Sequence, residues 1–171
     1  MAVLPLVQAP DPRLKLVSET ITKVDDELRA FMADMVDTMY AENGIGLAAI
    51  QVGVPKRIAV IDLDPKGPDS KVLYFLNPEI VAASEEESTY KEGCLSVPDY
   101  WDDVHRPARL TVEYHDENFQ KQRVEADGLF ATCLQHEIDH INGLLFIDHL
   151  SKIRRSIAVR KSAKAKRNRE R

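Results

Sequence analysis

Apolar positions recur at helical spacing in three stretches of the chain and cluster as short strands in four others. Across residues 25–42, Leu28, Phe31, Met32, Met35 and Met39 return at intervals of three and four, with acids at the front. That is the pattern of an amphipathic helix, and its methionine stripe reads as core. The period returns at Leu129, Phe130, Leu134, Ile138 and Ile141. It predicts a buried helix that begins near Asp127 or Gly128 and is stopped by Asn142-Gly143. Leu150, Ile153 and Ile157 then share one side of a last helical stretch, which can dock its first part before the chain turns almost wholly polar. Strand candidates occupy residues 57–62, 71–82, 109–114 and 122–126, separated by turn clusters such as Asp64-Pro65-Lys66-Gly67-Pro68-Asp69 and Asp116-Glu117-Asn118. Strands with no helices between them favour antiparallel pairing, so the expected fold class is α+β.

With 171 residues the chain is long enough for one domain with a sizeable core. Its net charge of -5 conceals an asymmetry: residues 152–171 hold ten Lys or Arg and one acid, against thirteen basic and twenty-seven acidic residues before them. We therefore expect an acidic body over 1–151 and a basic helical tail over 152–171. The tail is either a solvated terminus or a contact for an anionic partner such as RNA. No long uncharged apolar run and no charged-then-apolar leader occur, which predicts a cytoplasmic protein with no membrane partner. In that compartment the two cysteines, Cys94 and Cys133, are not expected to form a disulfide.

The most informative segment is His136-Glu137-Ile138-Asp139-His140. Residues four apart stack on one helical face, so both imidazoles can reach one divalent cation with Glu137 beside it. The plainer alternative is a helix with two unrelated histidines. A catalytic metal usually takes three protein ligands plus water, so one ligand is missing. Cys133 lies close in sequence, but it leans away from His140, whose Cα is about 10 Å along the axis. It fits the wall of a site better. Cys94 follows Gly93 and precedes Pro98, which is expected to end any ladder pairing. A thiolate at a strand end can reach a helix packed across it, which makes Cys94 the leading third ligand. Cys and His suit iron and zinc alike.

Gly44, Gly46 and Ala49 match the spacing of a dinucleotide-binding loop, with Asp64 about 20 residues on. The context rejects that reading, because a helix precedes the glycines and Val54-Pro55 cuts short any helix after them. The glycines instead expose backbone groups along a cleft, with Gln51 offering an amide donor.

Taken in order, Gly44-Ile45-Gly46-Leu47-Ala48-Ala49-Ile50-Gln51, Glu92-Gly93-Cys94-Leu95-Ser96 and Gln135-His136-Glu137-Ile138-Asp139-His140 resemble the three signature motifs of the peptide deformylases, bacterial type. The resemblance runs from Pro10-Asp11-Pro12-Arg13-Leu14 to Leu145-Phe146-Ile147-Asp148. It implies antiparallel sheets around a central motif helix, with an N-terminal and a C-terminal helix. It implies one cation on Cys94, His136 and His140: Fe2+ first, with Zn2+, Ni2+ or Co2+ able to substitute. It further implies hydrolysis of the N-formyl group of nascent formylmethionyl polypeptides by metal-activated water, releasing formate. Glu137 would act as general base and then acid, and the Gln51 amide with the Leu95 backbone N–H would face the oxyanion. Ile45, Leu129, Thr132, Cys133 and His136 would border the methionine side chain, and Gly46 would bond the extended peptide. Where many members carry Arg seven residues after the metal cysteine, this chain has Trp101, which leaves contacts beyond the first residue open. The basic tail is similar to C-terminal helices that bind the ribosome, and a monomer is expected.

Two rival readings stand beside this one. A zincin-like peptidase shares Glu137 and both histidines but gives no reason for Gln51 and Cys94. A metal-stabilised RNA-binding module would use the tail and requires a closed coordination shell.

Overall fold

The computed structural model describes residues 2–171. Helix α1, Asp26–Ala41, begins where the Asp25 carboxylate accepts the Leu28 N–H at 2.9 Å. This cap fills an otherwise open donor of the first turn. Strands β1 (Gly46–Ala48), β2 (Ile58–Ile61) and β3 (Leu73–Ala83) follow. A separate hairpin, β4 (Glu87–Cys94) and β5 (Val97–Pro107), precedes β6 (Arg109–His115) and β7 (Lys121–Asp127). Helix α2 spans Gly128–Ile141 and helix α3 spans Lys152–Arg169.

Five strands form one antiparallel sheet in the order β1-β2-β3-β6-β7, and β4-β5 forms the second. The expected α+β class is the one observed. Side chains alternate across a strand, so β1 and β2 feed two cores at once. Ala48, Ala59 and Ile61 pack with Leu134 and Ile138 of α2, while Leu47, Ile58 and Val60 pack with Met32, Met35 and Met39 of α1. The sheet's β1 end is therefore held between two helices. A third core joins the hairpin, through Val97, Tyr100 and Val104, to Leu14, Phe146 and Ala158 of α3.

Three local expectations change. The hairpin and the three-residue β1 were not predicted from periodicity. Pro98 does not end the pairing: β5 runs on to Pro107, and Pro98 falls in the irregular stretch between the Glu92–Asp102 and Cys94–Val97 pairs, where no ladder bond is required of it. Helix α3 docks only in part as expected: of Leu150, Ile153 and Ile157, the first and last do pack, partly buried, against the third core, but Ile153 does not. Ile153 is 75% exposed, and the buried positions are Ala158, Ser162 and Ala165. Small residues at i, i+4 and i+7 let the helix lie close to β5, and Ser162 Oγ donates to the Pro98 carbonyl at 3.3 Å.

Candidate metal centre

The turn between β4 and β5 carries Cys94 to the middle of α2. Its Sγ lies 3.3 Å from His140 Nε2, which is itself 3.3 Å from His136 Nε2. The three donor atoms all fall within 4.8 Å of one another. Bonds of about 2.0–2.1 Å to nitrogen in a tetrahedral shell would set two imidazole donors about 3.3–3.4 Å apart. The two-histidine edge has that length.

The tautomers agree with a cation there. His136 Nδ1 sits 2.9 Å from Glu92 Oε1, so this nitrogen carries a proton and Nε2 is the one left to face an ion. Burial holds His140 well below the usual imidazole range and therefore neutral. Two imidazole nitrogens and a sulfur, the donor types that bind divalent metals, thus converge on one point. The donor set fits a divalent metal.

Glu92 is fixed in turn. Arg106 of β5 grips it with two bonds, Nε to Oε2 at 2.7 Å and Nη2 to Oε1 at 3.0 Å, and reaches Asp139 Oδ2 with Nη1 at 2.8 Å. Burial raises the Glu92 pKa, but the bonds from His136 and Arg106 outweigh it and hold the carboxyl at about 2. His149 completes the chain against Asp139 at 2.8 Å.

Gln51, buried at the end of the turn that follows β1, presents Nε2 to Ser96 Oγ at 3.1 Å and to Cys94 Sγ at 3.6 Å. Its Oε1 accepts the Ala48 N–H at 2.9 Å, which settles which end of the amide faces the sulfur. The Ser96 N–H also donates to Sγ, at 3.4 Å. Glu137 is buried next to the ligands, and its Oε2 has no hydrogen-bond partner among the described residues. Burial pushes its pKa up to about 7. A carboxylate poised near neutrality, with a free oxygen, suits proton transfer.

A cleft of about 390 Å³ opens beside these groups. It is bordered by Ile45, Gly46, Leu95, Leu129, Thr132 and Cys133, so the structure brings the sequence-derived pocket residues to one cavity. Cys133 lines the wall and is not in the ligand cluster. Gly46 has to be glycine: a Cβ would stand 2.6 Å from Glu137 Oε1 and 3.1 Å from Cys133 Sγ.

The sequence profile described as polypeptide deformylase matches residues 3–156. The chain belongs to this family. It is 52% identical over 169 residues to a peptide deformylase of Rhizobium meliloti (strain 1021), covering 99% of this chain and 97% of that one. A peptide deformylase of Phenylobacterium zucineum (strain HLK1) is 55% identical over 166 residues, covering 96% and 97%. Among solved structures, a peptide deformylase from Legionella pneumophila superposes with a TM-score of 0.93 at 41% identity, covering 99% of both chains. One from Ehrlichia chaffeensis, in complex with actinonin, gives 0.91 at 46% identity, covering 98% of this chain and 99% of that one.

Within this deformylase fold, the residues that sequence reasoning missed are those behind the ligands: Glu92, Arg106 and Asp139. Glu92 and Asp139 lie inside the quoted motifs and could have been suspected as partners of the histidines. Arg106 carried no local signal, because its role depends on strand register.

Proposed function

We propose that this protein removes the N-formyl group from the formylmethionine of nascent polypeptides, releasing formate and the free amine. Cys94, His136 and His140 hold one divalent cation, with Fe2+ as the native choice and Zn2+, Ni2+ or Co2+ as substitutes. When bound, that ion supplies a Lewis acid that polarises the formyl carbonyl and acidifies water. The protein's own groups do the rest. Glu137 takes a proton from the water that adds to the formyl carbon and passes it to the departing nitrogen. Gln51 Nε2, pre-aimed by its bond to Ala48, and the Leu95 N–H donate to the oxygen as charge builds on it. Pre-aiming matters, since loss of one such donor typically costs about 2.7–4 kcal/mol of barrier.

The methionine side chain fits the wall made by Ile45, Leu129, Thr132, Cys133 and the His136 ring, whose apolar and polarizable surface suits a thioether. Gly46 lies on a strand whose only ladder partner is β2, so its outer edge can pair with an extended peptide. We assign residues 1–151 to catalysis and the basic residues 152–171 to contact with ribosomal RNA, in a cytoplasmic monomer. No helix among the described residues is long and apolar enough to cross a membrane.

One observation carries the reading: three convergent donor atoms sit beside a buried carboxylate with a free oxygen, next to a cleft. Purification without oxygen, elemental analysis and reloading with each metal should give formate release from formyl-Met-Ala-Ser. Cleavage of unblocked peptides with no formate release would favour the peptidase alternative. Co-sedimentation with ribosomes, with and without residues 152–171, tests the tail; equal binding removes that role.

A further inference from the structure

We propose that Trp101 is a specificity-determining residue that selects large apolar or aromatic side chains after the formylmethionine of the substrate. The inference rests on the deformylase reading above and concerns the far end of the same cleft.

Trp101 is the only tryptophan in the chain, and it is 59% exposed. Leaving so large an apolar side chain in water forgoes the stabilisation of burying it, so its position needs a cause. Strand alternation explains the direction. Along β5, Tyr100 and Asp102 turn toward the packed side of the hairpin, while Trp101 points the other way. Its resting place is made by Gly93. A Cβ built on Gly93 would stand 2.1 Å from the indole Nε1 and 2.3 Å from Cδ1, so the ring lies directly on that glycine's backbone. The hairpin ladder slips here, between the Glu92–Asp102 and Cys94–Val97 pairs, which lets the indole cross onto β4. It settles one residue from the metal-ligating Cys94.

Trp101 borders the same cleft as Ile45 and Leu129. A peptide whose first side chain lies on the Leu129–Cys133 wall, and whose backbone runs extended, advances about 3.3 Å per residue. Its next side chains run on through the cleft that the indole also lines. Glu42 and Lys91 line the same cleft with opposite charges, so selection falls to the apolar face. A Phe or Leu laid on the indole removes water from both surfaces, whereas an Asp gains nothing from it.

The test uses the metal-loaded full chain and the peptides formyl-Met-X-Ala and formyl-Met-Ala-X, with X as Phe, Leu or Asp. Wild type is expected to favour Phe and Leu over Asp by about tenfold in kcat/KM at one of these positions. Trp101→Ala should bring that ratio close to one, and Trp101→Phe should restore most of it. Independently of turnover, the lone tryptophan reports its own contact. In the zinc-loaded protein its emission should shift to the blue on binding Met-Phe-Ala and stay unshifted with Met-Asp-Ala. A Trp101→Ala ratio equal to that of wild type overturns the assignment, as does emission indifferent to which peptide is bound. If wild type released no formate from any formylated peptide, the deformylase reading itself would fall instead.

Discussion

Helices α2 and α3 meet the molecule in opposite ways: α2 buries nine of its fourteen residues, Glu137 and His140 among them, while α3 buries only Ala158, Ser162 and Ala165 of its eighteen. Burying ionisable groups is expensive unless partners are supplied, and on α2 the two histidines and Asp139 receive theirs from another element, while Glu137 Oε2 has none among the described residues. The hairpin provides Cys94, Glu92 and Arg106, and Arg106 reaches back to Asp139 on the helix. On α3 the charges stay in water. Its attachments are an exposed pair of Arg154 with Asp102, a longer one of Arg155 with Asp148, a stripe of small side chains, and the partly buried Ile157 and Val159. The contrast separates a helix whose chemistry is made by its surroundings from one whose chemistry is its own surface charge.

The largest expected effect breaks the α2 side. Glu137→Ala should lower kcat by about 10²–10⁴-fold, while elemental analysis still finds one metal per chain. Substantial residual turnover would remove Glu137 from proton transfer. Next comes Arg106→Leu, which strands Glu92 and Asp139 without their cation. Breaking a buried pair in this way costs about 3–5 kcal/mol, readable by urea unfolding. A loss below about 1 kcal/mol would mean that the hairpin and α2 are joined by apolar packing alone.

The α3 side should respond more weakly. Ala158 is fully buried, so Ala158→Leu overpacks the contact with β5 and should cost about 1–3 kcal/mol. Arg154→Ala removes an exposed pair and should cost no more than about 1 kcal/mol, shrinking further in salt. The smallest effect is one of pH. The Tyr100 hydroxyl, bonded to Asp102 at 2.6 Å, is the main reason that Asp102 titrates below the ordinary 3.8. A carboxyl lowered on folding contributes fully above its unfolded pKa and loses that contribution as pH falls through the folded value. Asp102→Asn should therefore flatten the acid limb of stability below about pH 4 and leave neutral pH little changed. A limb as steep as in wild type would clear Asp102 of any part in acid unfolding.

These differences also explain what could be read from the residues alone. Helices α1 and α2 were legible because their apolar positions keep a 3.6-residue period, and four strands were legible because short runs containing β-branched and apolar residues are bounded by turn clusters. The hairpin was hidden. Its alternation is present, but two of its buried positions hold Glu92 and Arg106, which look like surface residues until register pairs them. The centre divided along the same line. Both histidines, Cys94 and Gln51 lie in compact motifs, whereas the guanidinium that sets the His136 tautomer lies on a strand with no motif at all. Helix α3 was foreseen as a helix, and Leu150 and Ile157 pack as expected, but Ile153 does not and the close contact is made by small residues. Ile153 suggested burial by hydrophobicity, yet close approach to β5 selects by size.

One guanidinium fastens the strand that brings the sulfur to the helix that brings the nitrogens. Assembly of the ion's cradle therefore belongs to folding of the polypeptide and does not wait for the ion, unlike small zinc domains that collapse only around their metal. Stripping the protein with a chelator should leave its far-ultraviolet dichroism unaltered, and one metal should be exchangeable for another without passing through a denatured chain. Dichroism that vanished with the ion would show that the clasp is too weak to hold the cradle unaided.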